Sequence, residues 1–195
     1  MKQLIFSVTL FLVFFSMSAQ EGPKGLNIND AAPDFTANDQ NGMKVNLKEK
    51  LKEGAVVLVF YRGQWCPYCN RYLKRLEDSM SLVSNKGASL ITITPETAAG
   101  IAKTIEKTKA TYPILYDDGL SIMKSYDVAF KVDDRAIEKY KGYGIDFTKA
   151  NGDSNGPNLP VPAVYIISKE GKIIFRHFDK DYTKRVSVAE ILEHL

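Results

Sequence analysis

Two spacings of apolar residues alternate along this chain. Residues 55–61 form an unbroken apolar run ending in Phe60-Tyr61. Its lack of alternation predicts a central strand buried on both faces. From residue 67 to 86, Leu73, Leu76, Met80 and Val83 recur at three and four positions, which predicts one helix ended by Gly87. Residues 89–94 predict a second strand, 98–109 a second helix, 112–116 a third short strand and 120–126 a short helix. Strands and helices alternating at this spacing give right-handed βαβ units and a mostly parallel sheet. Residues 163–168 and 172–178 flank Lys169-Glu170-Gly171 as a β-hairpin, and residues 186–195 form a last helix begun by Ser187. Near the start, Ala32-Pro33-Asp34-Phe35 and residues 41–47 predict a short strand, a turn and a second strand or bridge. Residues 127–160 break the pattern. They end in the turn-rich 150–158 and predict a surface loop.

The expected fold is therefore α/β, a central mixed sheet flanked by helices, with a C-terminal β-hairpin and helix. Its 195 residues are enough for one domain with a normal core. Lys2 followed by an apolar stretch from Leu4 to Phe15, then Ser16-Met17-Ser18-Ala19, reads as an export signal over residues 1–19. That stretch falls short of the ~20 residues of a spanning helix, so no membrane span is expected in the mature chain. Residues 20–26 read as a linker and 27–195 as the domain. The mature protein is expected in a periplasmic or other extracytoplasmic compartment, where a disulfide can persist. A net charge of +3 makes no case for nucleic acid.

Only two cysteines are present, in Trp65-Cys66-Pro67-Tyr68-Cys69, between the central strand and the long helix. At i and i+3 of a first helical turn they can close a disulfide with little backbone movement. A helix N-terminus also favours a thiolate. Cys66, at the mouth of the helix with Pro67 in its first position, is the candidate nucleophile, and Cys69 stands one turn further in. A static disulfide over so short a loop stabilises little. Zinc needs two more ligands, and His177 and His194 show no metal-ligand spacing. Asn70 stands where covalent haem attachment needs His. No metal or cofactor is expected, and His177 reads as a satisfied strand residue.

From about residue 26 onward the chain resembles the alkyl hydroperoxide reductase/thiol-specific antioxidant branch of the thioredoxin-like superfamily, in its peroxiredoxin-like group. The resemblance rests chiefly on Arg62-Gly63-Gln64-Trp65-Cys66-Pro67-Tyr68-Cys69-Asn70. Ala32-Pro33-Asp34-Phe35, Val161-Pro162-Ala163-Val164-Tyr165, Gly171-Lys172-Ile173 and Asp181-Tyr182-Thr183-Lys184-Arg185 add to it. It implies a thioredoxin-like fold and a thiol peroxidase: Cys66 attacks a hydroperoxide, Cys69 resolves the sulfenic acid as a disulfide, and a thioredoxin-like donor restores both thiols.

Three positions depart from the family pattern. Gly63 stands where a hydroxyl residue belongs, Val59 where a Pro belongs, and Pro162 where an Arg belongs. Pro162 instead follows the thioredoxin pattern, where the proline is cis and packs on the disulfide. Arg62 is the expected cation beside Cys66, with Arg71 and Arg176 next in line. Gly63, Trp65, Pro67 and Pro162 are the expected pocket residues. The alternative reading is an exported thiol–disulfide oxidoreductase acting on protein cysteines, favoured by the two-residue spacing of the cysteines and by Pro162. A redox-sensing domain without turnover is a third. Tyr140 and Tyr143 carry no readable role.

Overall fold

A computed structural model of the protein describes residues 22–195. The expected signal, and the first residues of the linker, lie outside the described residues. Strands β1 (Thr36–Asn38) and β2 (Lys44–Asn46) form a small antiparallel pair. β1 begins after Ala32-Pro33-Asp34-Phe35 rather than on it. Helix α1 (Leu47–Glu53) then covers residues with no expected element. The Asn46 side chain caps it by accepting from the Glu49 N–H at 2.9 Å, and Leu47 and Leu51, four apart, turn into the core.

The main sheet is built on β3 (Val56–Phe60). Helix α2 (Pro67–Asp78) follows, then α3 (Met80–Asn85), β4 (Ser89–Thr94), α4 (Ala98–Thr108) and β5 (Ile114–Tyr116). The single helix expected over 67–86 is broken at Ser79, whose N–H bonds to the Leu76 carbonyl one residue short of helical register. A turn of 3-10 helix and α5 (Ser121–Ser125) lead away from β5. Strands β8 (Ala163–Ile167) and β9 (Ile173–Phe178) form the expected hairpin, and α8 (Val188–Glu193) ends the chain. The Ser187 side chain caps α8 through the Glu190 N–H. The sheet order is β5-β4-β3-β8-β9, with β3, β4 and β5 parallel, β8 antiparallel to β3, and β9 antiparallel to β8.

Side chains of β3 alternate between two apolar layers, which is why the run lacks polar positions. Val57 and Val59 pack with Leu73, Leu76 and Ile101 on one face. Val56, Leu58 and Phe60 pack with Leu51, Met123 and Tyr165 on the other. Each such side chain contributes about 1.5–3 kcal/mol when fully buried.

The expected loop over residues 127–160 is ordered structure. It holds β6 (Ala129–Lys131), α6 (Asp134–Gly142), α7 (Phe147–Asn151) and β7 (Asn158–Pro160), with β6 and β7 paired antiparallel. Asp133 caps α6 and Asp146 caps α7. The buried Asn155 ties the segment down. Its amide donates to the carbonyls of Pro95 and Asp117, and its oxygen accepts from the Gly119 N–H. Phe147, Val132 and Leu159 make a third apolar cluster that reaches Trp65.

Candidate active site

β3 ends one residue before the loop Arg62-Gly63-Gln64-Trp65, and Cys66 is the N-cap of α2 with Pro67 at its first position. The Cys66 N–H bonds back to the Gly63 carbonyl at 3.1 Å, and the Cys66 carbonyl accepts from the Asn70 N–H at 3.1 Å. The sulfur is thus set at the positive end of a twelve-residue helix. Both cysteines are free thiols, each 1% exposed.

The pair is electrostatically split. The Cys69 thiol, donating to the Cys66 sulfur, does most to lower the Cys66 pKa, which falls to about 6. Burial opposes this, while the Cys69 backbone N–H, Arg62 and Arg185 assist. Cys69 is pushed up, by burial first and then by the thiolate beside it. One sulfur is charged and the other holds its proton.

Arg62 is 5% exposed. Its Nη2 donates to the Tyr140 hydroxyl at 2.7 Å, and its Cζ lies 4.1 Å from the Tyr182 ring centre and 4.8 Å from that of Trp65. Among the described residues no carboxylate pairs with it. An arginine held by aromatic faces rather than by an acid keeps its field for the sulfur. A second cation, Arg185, sets its Nη2 3.5 Å from Cys69 Sγ. Arg71 lies over Tyr68, and Arg176 over Phe178 with a bond to the Lys24 carbonyl, so neither expected substitute for Arg62 takes the place that Arg185 holds.

Gly63 has a steric reason to replace a hydroxyl residue. At φ +152° a Cβ there would lie 2.5 Å from Trp65 Nε1 and 2.7 Å from the Glu96 carboxyl. Trp65 packs edge-on against Tyr140 and Phe147 and carries Arg62 on its face. Pro162 lines a narrow crevice with Cys69, Arg185 and His177, and on its other side a cavity of about 380 Å³ shared with Arg62 and Tyr182. No peptide bond among the described residues is cis, unlike the thioredoxin pattern. The Val161 N–H bonds to the Val128 carbonyl, which extends the β6–β7 ladder up to Pro162 and keeps Val161 extended. His177, expected to be a satisfied strand residue, has its Nε2 buried without a partner among the described residues, and burial lowers its pKa.

Sequence reasoning missed Arg185, Tyr182, Tyr140 and Glu96. Arg185 and Tyr182 stood inside a quoted motif, Asp181-Tyr182-Thr183-Lys184-Arg185, with no signal that it folds back onto the cysteines. Tyr140 and Glu96 had no signal at all.

The chain is similar to known proteins of two kinds. Thiol-disulfide oxidoreductase ResA of Bacillus cereus is 24% identical over 167 residues, 85% of this chain and 75% of ResA. Chloroplastic peroxiredoxin Q of Arabidopsis thaliana is 37% identical over 103 residues, which span 53% of this chain and 47% of that protein. Among solved structures, peroxidoxin BcpB of Mycobacterium tuberculosis superposes with a TM-score of 0.66 at 19% identity, covering 86% of this chain and 94% of BcpB. That likeness shows a thioredoxin-like fold. A thiol-based redox activity follows from these relatives and from the split dithiol. The profile of the AhpC/TSA family matches residues 28–176, about three quarters of the chain, and the protein belongs to that family.

Proposed function

We propose that the protein is an exported thiol peroxidase. The Cys66 thiolate attacks the O–O bond of hydrogen peroxide or an organic hydroperoxide. A Cys66 sulfenic acid forms, and the departing alkoxide or hydroxide takes up a proton as alcohol or water. The Cys69 sulfur then displaces that hydroxyl, releasing water and leaving a Cys66–Cys69 disulfide. A thioredoxin-like dithiol reduces the disulfide by exchange.

The observation that carries this reading is a buried, charged Cys66 flanked by a carboxylate-free Arg62, with a protonated Cys69 as its neighbour. Arg62 supplies a donor and a positive charge where the leaving oxygen becomes negative. The enclosed sulfur suits a small oxidant better than a peptide disulfide. Pro162 beside Cys69, together with the ResA likeness, favours the second reading, thiol–disulfide exchange with protein cysteines.

Stopped-flow oxidation of the reduced protein, followed through Trp65, separates the two. The expected result is peroxide reduction far faster than by a free thiol of the same pKa, with poor reduction of insulin. In Cys69→Ser a dimedone-type probe should trap sulfenic acid on Cys66, and Cys66→Ser should not turn over. A peroxide rate no better than that of a small thiol, with efficient insulin reduction, makes the exchange reading the correct one.

A further inference from the structure

We propose that the cavity between the first turn of α4 and the turn joining α6 to α7 binds a small organic acid, its carboxylate seated against Trp65 Nε1, the Glu96 carboxyl and the start of α4. The cavity has a volume of about 320 Å³, enough for a small metabolite. Gln64, Trp65 and Glu96 line one side of it, Thr97, Ala99, Gly100 and Lys103 another, and the rest comes from residues 144–150.

Two buried polar atoms at this site have no hydrogen-bond partner among the described residues, Trp65 Nε1 and Glu96 Oε1. Glu96 is fully buried, with its carboxyl cradled between two glycines. A Cβ on Gly63 would come within 2.7 Å of it and one on Gly100 within 2.9 Å. So enclosed a polar group is costly unless something bonds to it. Its other oxygen, Oε2, accepts from the Gln64 N–H at 2.7 Å. Burial raises the Glu96 pKa to about 8, although Gln64, Lys107 and Lys103 pull it down. The acid is therefore neutral at pH 7, and with Oε2 accepting, its proton belongs on Oε1. Glu96 is a donor here.

The remaining groups have the same polarity. Thr97 precedes the eleven-residue α4 without a side-chain cap, and Thr97, Ala99 and Gly100 line the cavity, so the positive end of the helix borders the site. Lys103 and Lys149 add two ammonium groups. Asp146 is the one carboxylate of the α6–α7 turn at the cavity, and its Oδ1 is turned to the Lys149 N–H as the cap of α7. An indole N–H, a carboxylic O–H, a helix start and two lysines ask for an anion. Ala99, Ile145 and Ala150 supply apolar wall for a short carbon skeleton, which inorganic phosphate would leave unfilled. The inference holds whichever redox reaction the cysteines perform.

Titration of the full-length reduced protein with sodium succinate at constant ionic strength, read by fluorescence of Trp65, the only tryptophan, tests it. A saturable change is expected at pH 7, with the half-saturation concentration raised at least tenfold in Lys103→Ala/Lys149→Ala. Wild type should lose about tenfold in affinity between pH 7 and 9 as Glu96 ionises. Glu96→Gln, whose amide keeps a donor, should lose less than twofold. No saturable change, equal affinity in the double lysine variant, or phosphate binding as tightly as succinate would each overturn the proposal.

Discussion

Arg62 concentrates the chemistry of the site at a single residue, because among the described residues its charge is paired with no carboxylate. Three aromatic rings and one hydroxyl hold it instead. Removing the guanidinium takes a positive charge from beside the thiolate and a donor from beside the leaving oxygen. Arg62→Ala is expected to slow peroxide reduction by about ten- to a hundredfold, the equivalent of one charge-assisted contact of ~1.5–3 kcal/mol. The Cys66 pKa should rise with it. In the wild type the rate should fall by half near pH 6 and about tenfold per unit below that, following the thiolate. In Arg62→Ala the midpoint should move upward. A pH profile with an unmoved midpoint and a rate within twofold of wild type would leave Arg185 as the cation that matters.

At the scale of elements, the βαβ half and the terminal hairpin were legible because their strands and helices each bury a continuous apolar face. The 127–160 segment was not legible. Its helix α6 buries no side chain fully, and its order depends on caps and on hydrogen bonds to distant residues, which leave no period in the sequence. Helix α1 did leave a sign, Asn46 three residues before Glu49, but only two buried leucines back it. The same contrast runs through the site. Cys66, Cys69 and Arg62 lie together in sequence and could be read there, whereas Arg185, Tyr182 and Tyr140 reach them only through the fold. Since Asn155 bonds to three backbone groups, Asn155→Ala strands two buried carbonyls and one N–H. A loss of about 2–4 kcal/mol is expected. Amide exchange should accelerate in residues 147–160 more than in β3. Uniform acceleration would mean that this segment has no stability of its own to lose.

For the molecule as a whole, two buried acids couple stability to pH in opposite senses. Glu96 prefers to be neutral in the folded state, so its contribution is full below about pH 4.5 and is lost as pH rises towards 8. Cys66 prefers to be charged, so its contribution is full above about pH 9 and is lost as pH falls towards 6. Each slope is at most about 1.4 kcal/mol per pH unit. Between pH 6 and 8 they oppose each other, and the reduced wild type should show a nearly flat stability there. In Glu96→Gln the Cys66 slope is no longer opposed, and denaturant midpoints should climb from pH 6 to 9. A flat profile in that variant would show that Cys66 does not ionise on folding.

Arg185 lies 116 positions from Cys69, and Tyr140 lies 78 from Arg62. Contacts of such separation close late, because chain entropy must be overcome before they form. In the unfinished chain Cys66 has its local partners, Cys69 and Arg62, and the smaller contribution of Arg185 is added only when the C-terminal arginine arrives. The last increment of thiol acidity is thus timed by the fold itself: a nascent or refolding chain carries Cys66 short of its full reactivity until residues 181–185 dock. Pulse alkylation at pH 6.5 during refolding should record this as a delayed gain in Cys66 labelling that coincides with docking of residues 181–185. Labelling that reaches its final rate before β8 and β9 pair would place the whole of the acidity in the local contacts with Cys69 and Arg62.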